Sequence, residues 1–340
     1  MPATLRDIAK RLGISVSTVS YALNGGPRPV PEEIRQKVLE VARELDYRPN
    51  RLARSMVTGK TETVAVVPPV VTRHMLQSPY IHAILSNIAD AVGEHGYDIL
   101  LHTSATPMDD TTLVSSLLSG KVDGILLIAP PSTSQVPQQL RQRHVPCVVL
   151  SARVEGLPCV YADNAAGIVE ALDWLMAYGH SRIGYIGGPI TSYDAQQRLI
   201  ALMDYVREHQ LHIPPEWVAE GDFTAEGAKA GARRMLSHPE RPTAILAAND
   251  EAAAGVIQVA QEMGIEVPQA LSVIGFDDTP FAQVLSPRLS TVRQPLDEMA
   301  SEAVRLLMDW IEQREPPRER DRVFPTTLVL RDSTAPAPIE

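Results

Sequence analysis

Apolar side chains recur at helical spacing over the first 45 residues, then gather after residue 61 into short continuous runs separated by amphipathic stretches. Leu5, Ile8, Ala9 and Leu12 fall at i, i+3, i+4 and i+7, one face of a helix. Thr4 with an acid three residues on, Asp7, reads as the cap of that helix, and Gly13 as its stop. Ser15 caps a second helix with Val19 and Leu23 facing inward. A third begins near Pro31, a residue suited to a first turn, and carries Ile34, Val38, Val41, Ala42 and Leu45 as its stripe. Helix, short Gly-containing turn and helix make a helix-turn-helix pattern in a minimal three-helix domain.

The outward face of the second helix is Val16, Ser17, Thr18, Ser20 and Tyr21, small or flat side chains that let a helix sit deep in the major groove. The segment from Pro49 to Met56 follows, with Asn50 as its cap and almost no apolar face. An isolated helix of about two turns is unstable in water, so duplex DNA and a second copy of the chain are expected to brace it. Met56 is placed as an apolar wedge for the minor groove and Arg54 as a phosphate contact.

From residue 61 the apolar runs read as buried strands at 63–68, 97–102, 122–129, 147–150, 182–187, 243–247 and 271–276. Helices are expected between them at 80–95, 109–119, 164–179, 193–209, 225–236, 249–263 and 295–313. Such alternation implies parallel sheets with helices on both faces, here two subdomains in tandem. Ligands in doubly wound sheets bind beyond the carboxyl ends of the strands, so the cleft between the subdomains is the expected pocket.

Charge sharpens the division. Residues 1–60 hold eleven Lys and Arg against six Asp and Glu, a net +5, and the remainder carries −15 of the chain's −10 total. A basic head on an acidic body suggests a nucleic-acid arm, because salt confines phosphate attraction to about 10 Å. No apolar run approaches the roughly 20 residues of a membrane span, and the first seven residues have no signal-like apolar core, which implies a cytoplasmic protein with no membrane partner. Cys147 and Cys159 stand apart, without metal-ligand spacing.

Enzyme motifs fail on inspection. Gly59-Lys60-Thr61 resembles the end of a phosphate loop, but Arg54 stands where that loop needs glycine. Gly184-Tyr185-Ile186-Gly187-Gly188 lacks dinucleotide-loop spacing, and there is no GxSxG or HExxH. His180, after a helix-ending Gly179, reads as structural. Asp277 and Asp278 are adjacent on a strand and so point opposite ways. No enzyme activity and no cofactor are expected.

Four ordered blocks, Thr4-Leu5-Arg6-Asp7-Ile8-Ala9, Gly13-Ile14-Ser15, Ser17 to Asn24 and Tyr47 to Ser55, make the chain resemble the lac/galactose repressor family of bacterial regulators. The resemblance continues through Asp163-Asn164, 179–188, Arg198, Ala248-Asn249-Asp250, 273–278, 290–295 and 324–328. It implies an all-α helix-turn-helix head, a hinge helix that folds on the operator, and an α/β body like a periplasmic sugar-binding protein. The DNA-contact set is then Thr4, Leu5, Ser15, Val16, Ser17, Thr18, Ser20, Tyr21, Asn24, Asn50, Ala53, Arg54 and Met56. Tyr21 departs from the arginine of many members and cannot make a bidentate guanine contact.

Positions matching Arg198, Asn249 and Asp277 touch effector in the family. Arg198 offers paired donors and Asp277 paired acceptors to vicinal hydroxyls. Tyr80, Ser132 and Phe223 complete the candidate set, Phe223 for stacking on an apolar sugar face. Ser132 in place of an acid and Leu296 in place of an aromatic argue against a simple galactoside. The resulting expectation is a ligand-controlled regulator, a repressor, acting as a homodimer on pseudo-palindromic double-stranded DNA with a sugar-like effector; a transport-type sugar-binding protein is the alternative. The expected domains are a helix-turn-helix unit at 1–48, a hinge helix and linker at 49–60, and a core at 61–333. By the same resemblance the chain crosses between subdomains near Tyr161, Thr291 and Arg322, so the core is expected to divide into 61–161 with 292–321 and 162–291 with 322–333, with a disordered tail at 334–340.

Overall fold

A computed structural model of the 340-residue chain describes residues 3–24, 28–48, 55, 58–69, 77–103, 108–318 and 321–338. They form two compact units, Met1–Thr61 and Glu62–Glu340.

The first unit holds α1 (Leu5–Leu12), α2 (Val16–Asn24) and α3 (Glu32–Glu44). Thr4 and Asp7 close the capping box: Thr4 N and Oγ1 donate to Asp7 Oδ2 at 2.9 and 2.7 Å. Gly13 takes the left-handed conformation, φ 66°, which spares a side chain the clash of that turn. The chain then enters α2 with the Thr18 amide donating to Ser15 Oγ at 3.0 Å. Pro31 is the N-cap of α3, one place before the first-turn position expected. Ile8, Val19 and Val38, one from each helix, are fully buried, ringed by Ala9, Ala22, Val41 and Ala42. Ala22 goes deeper into this core than Leu23, which stays half-buried. Ser15→Ala removes the α2 cap and should weaken that helix by about 1 kcal/mol; faster hydrogen exchange of the α2 amides in the full chain would read it.

The second unit is built from two doubly wound sheets. In lobe one the strand order is β11-β5-β4-β3-β1-β2, from β1 (Thr63–Val67), β2 (Asp98–Leu101), β3 (Gly124–Ile128), β4 (Cys147–Leu150), β5 (Cys159–Ala162) and β11 (Asp321–Phe324). Every pairing in it is parallel. The helices of this lobe are α4 (Pro79–Glu94), α5 (Asp110–Leu117), α6 (Val136–Gln142) and α12 (Leu296–Gln313). Strands β3 and β4 are buried along their whole length, as parallel strands covered on both faces must be.

Lobe two has the order β12-β10-β9-β8-β6-β7, from β6 (Ile183–Ile186), β7 (Val218–Ala219), β8 (Ala244–Ala247), β9 (Ser272–Asp277), β10 (Ser290–Arg293) and β12 (Thr327–Val329). It is parallel apart from the β10–β12 edge pair. Its helices are α7 (Asn164–Ala177), α8 (Tyr193–Glu208), α9 (Ala225–Leu236), α10 (Asp250–Glu262) and the short α11 (Pro280–Val284).

The strands and helices expected from residue 61 on are each found within two residues, the structure adds β5, β7, β10, β11, β12, α6 and α11, and most of the expected hinge helix lies outside the described residues. The chain changes lobe after β5, β10 and β11, slightly beyond Tyr161, Thr291 and Arg322, because sheet pairing carries each strand to 162, 293 and 324. The expected disordered tail is corrected for residues 334–338; residues 339–340 lie outside the described residues. Ser272 Oγ donates to Ala335 O at 3.1 Å, the Ala335 amide returns to Ser272 Oγ at 3.0 Å, and the Ala337 amide donates to Tyr178 O at 2.9 Å. Buried His180 bonds Thr243 Oγ1 through Nδ1 and Ala335 O through Nε2, both at 2.9 Å. Burial lowers its pKa, so it stays neutral as a clasp on this terminal segment.

Candidate functional site

On the head, α2 presents Val16, 41% exposed, and exposed Ser17 to solvent, with Thr18, Ser20 and Tyr21 half-buried beside them. Ser15 Oγ bonds Ser17 Oγ at 2.9 Å and Thr18 Oγ1 at 2.8 Å, which holds the start of the helix in a hydroxyl cluster. Thr4 is exposed, while Leu5 is drawn partly into the head core. The side chain of Asn24, together with Asn50, Ala53, Arg54 and Met56, lies outside the described residues.

Between the lobes lies a cavity of about 510 Å³, within the range of small-molecule sites. Its wall includes Tyr80, Arg198, Phe223, Asn249 and Asp277, so five of the expected effector residues converge there. Ser132 does not line it. Its side chain is exposed, and its contribution is a backbone bridge between lobes, Ser132 N donating to Thr191 O at 2.8 Å. Leu296 is likewise absorbed into the lobe-one core.

Arg198 projects from α8 and is 2% exposed. Its Nε donates to Asn164 Oδ1 at 2.7 Å and its Nη1 to Ala248 O. Its Nη2 stands 3.9 Å from Asp194 and 4.0 Å from Asp277, and the guanidinium lies 3.6 Å over the Phe276 ring. A buried charge survives only when partnered in this way. Asn164 Nδ2 donates to Asp194 Oδ1 at 2.9 Å, tying α7 to the same cluster.

Asp277 ends β9 with φ 116° and takes Gln294 Nε2 at 2.6 Å. The expected placement of its neighbour Asp278 on the strand is corrected: Asp278 lies just past the end of β9 and with φ 55° turns away to Arg293 and Arg331. Burial pushes the Asp277 carboxyl well above the usual range, against the opposing pull of Arg198, and nearby Asp250 adds to the rise. Asp194 is raised by burial in the same way. Tyr80, at the first turn of α4, bonds Ser151, and burial raises its phenol. Asn249 lines the cavity and also caps α10: its Oδ1 accepts from the Ala252 amide and its Nδ2 donates to Phe223 O, each at 2.9 Å. Phe223 has φ 68°, and its ring occupies the space a side chain at Gly188 would fill.

Sequence reasoning missed Asp194, Asn164 and Glu251. Asp194 was legible, since it stands one turn before Arg198 on the same face. Glu251 was not, because its partner, Ser78 Oγ at 2.7 Å, comes from the other lobe.

Behind the wall, Asp250 accepts from the Thr279 amide at 3.0 Å and from the Thr291 hydroxyl, joining α10 to the chain about to cross between lobes. Burial pushes Asp250 up to about 7, against the hydrogen bonds from Thr291 and Thr279. A carboxyl whose folded pKa is raised favours folding fully below its ordinary value, 3.8, and loses that contribution as pH climbs through about 7. Urea midpoints at pH 5 and pH 8 should therefore fall further for the native chain than for Asp250→Asn.

Head and cleft together define a ligand-responsive transcriptional regulator. Residues 4–50 match the description "Bacterial regulatory proteins, lacI family", and residues 172–334 match "Periplasmic binding protein-like domain". The HTH-type transcriptional repressor PurR of Klebsiella pneumoniae (strain 342) is 31% identical over 341 residues, covering 99% of this chain and 98% of that one. The Lac repressor dimer bound to operator and the anti-inducer ONPF is 26% identical with a TM-score of 0.86, covering 98% of this chain and 99% of that one. A transcriptional regulator CelR–cellobiose complex is 29% identical with a TM-score of 0.74, covering 97% and 99%. The chain belongs to the lacI family of bacterial regulatory proteins. Among the described residues no helix is long and apolar enough to cross a membrane.

Proposed function

We propose that this chain is a sequence-specific DNA-binding repressor whose operator affinity is set by a small hydroxylated effector held between its lobes. The observation that carries the reading is the coexistence, in one chain, of a capped helix-turn-helix with an open outer face and a cleft wall built on the buried Arg198–Asp194–Asp277 cluster. Relatives support both halves: one is solved on operator DNA and another with cellobiose. The transport-type alternative leaves the DNA-binding head without a purpose.

One recognition helix reads few base pairs, so useful specificity needs a two-fold pair of heads, and the chain acts as a homodimer. Effector binding favours one lobe arrangement over another, and the 49–60 segment passes that difference to the heads. Ordering a segment on binding costs about 2–5 kcal/mol, enough for a modest change in presentation to alter DNA affinity strongly. Tyr80, Arg198, Phe223, Asn249 and Asp277 are the proposed effector contacts, and α2 with Arg54 and Met56 the proposed DNA contacts. On this reading the protein works in the cytoplasm and catalyses no reaction.

A gel-shift titration on selected palindromic DNA at fixed salt, with a small-molecule extract added, tests the proposal. Specific binding that the extract weakens is the expected result. Indifference of the full chain to palindromic over random DNA would overturn it.

A further inference from the structure

The charges of the cleft are unbalanced. Among the described lining residues five carboxylates, Asp194, Asp222, Glu226, Glu251 and Asp277, face one guanidinium, Arg198. Arg198 is answered within its own wall by Asp194 and Asp277. Glu226 has Lys229 at 2.7 Å. Among the described residues Asp222 accepts from Thr224, through its amide and hydroxyl, and Glu251 from the Ser78 hydroxyl. Among the described residues neither of these two is matched by a cation. Arg73 and His74 fall in sequence between the lining residues Pro69 and Gln77, and even with both counted the acids outnumber the bases.

First-turn acids commonly serve only the helix dipole, and Glu226 and Glu251 occupy the first turns of α9 and α10. An exposed carboxylate such as Glu226 does that at little cost. Glu251 is different. It is half-buried against a hydroxyl of the opposite lobe, and both burial and neighbouring Asp222 work against its charged form. A positive group beside it offsets both penalties, since a charge-assisted hydrogen bond in a partly desolvated site is worth more than one in water. Because Ser78 holds Glu251 from lobe one, a cation at that point also bears on whether the lobes stay closed.

We infer that the effector is an ammonium-bearing polyhydroxylated molecule of the amino-sugar class, its cationic group held on the part of the lobe-two wall formed by Asp222 and Glu251. This rests on the cleft being the effector site, and it specifies the charge of what enters. The cavity itself establishes the site; the acids decide which ligands it accepts. A phosphorylated or carboxylated sugar of the same size would meet, among the described residues, an excess of acidic side chains over cations.

Calorimetric titration of the full chain at pH 7 and low salt tests this with six probes: glucosamine and galactosamine, their neutral parents glucose and galactose, and the two corresponding 6-phosphates. At least one amine should bind about tenfold or more tighter than its neutral parent, as a hydrogen bond between charged groups gives, and the phosphates should bind weakest. Glu251→Gln and Asp222→Asn should each lower the affinity for the amine by a larger factor than that for its neutral parent, so that the ratio of the two falls. A neutral or phosphorylated sugar that equals its amine twin overturns the inference. So does an amine preference that survives both replacements, or silence from all six probes. The wider reading is judged separately, by the response of DNA binding to a whole small-molecule extract.

Discussion

Arg198→Met is expected to abolish the effector response and to destabilise the core by about 3–5 kcal/mol, the usual consequence of removing one partner from a buried ionic cluster. The guanidinium is 2% exposed and has no water to replace what it loses, while Asp194 and Asp277 are left facing each other's charge. Methionine retains much of the stem volume, so lost packing contributes little. The pH dependence separates charge from packing. Both carboxyls already have raised pKa values through burial, and without Arg198 their charged forms lose the group that opposes that rise. Protonation relieves them, so the deficit against the native chain should be larger at pH 8 than at pH 5. Thermal unfolding at the two pH values, with gel shifts in the presence of extract, would measure both effects. Equal destabilisation at both pH values would assign Arg198 a packing role instead.

Ile8→Ala should unfold the head and leave the core intact. Ile8 is fully buried in a cluster whose other fully buried members are Val19 and Val38. Truncating such a residue costs about 2–5 kcal/mol, and a domain of about 60 residues typically has only about 3–9 kcal/mol to lose. The expected outcome is loss of specific DNA binding, with the major thermal transition unmoved because the head and the core are separate compact units. A fall in that transition, or operator affinity within a few-fold of the native value, would show that the head does not stand on its own core. The contrast with Ser15→Ala, expected to cost about 1 kcal/mol, is one of kind: a cap is partly replaced by water, and a core side chain is not.

Most of the architecture could be read along the chain, because its local signals agree. Thr4, Asp7, Gly13 and Ser15 place the first two helices through caps and a stop that act within four residues. Buried parallel strands such as β3 and β4 are apolar runs and need no partner to be recognised. Other elements depend on distant partners and left no such mark. Strand β10 begins with Ser290 and Thr291, both fully buried, because Thr334 and Asp250 satisfy their hydroxyls from far along the chain. Strands β11 and β12 are short, half-exposed edges defined by pairing with β5 and β10. Ser272, His180 and Tyr178 hold the Pro-rich terminus, which composition alone marks as loose.

The same division runs through the cleft. The family resemblance picked out the positions of Arg198, Phe223, Asn249 and Asp277, and their side-chain types, paired donors, paired acceptors and an aromatic face, fit the chemistry it implies. Which nominees converge, what neutralises Arg198, why Ser132 stands outside and where Glu251 meets Ser78 depend on two lobes assembled from three passes of the chain. A hydrogen bond between residues 173 positions apart has no local signature. Helix caps, periodicity and apolar runs are short-range effects and were therefore written in the order of residues. Burial, pairing and the electrostatics of the wall arise from long-range contacts, and folding alone brings those into being.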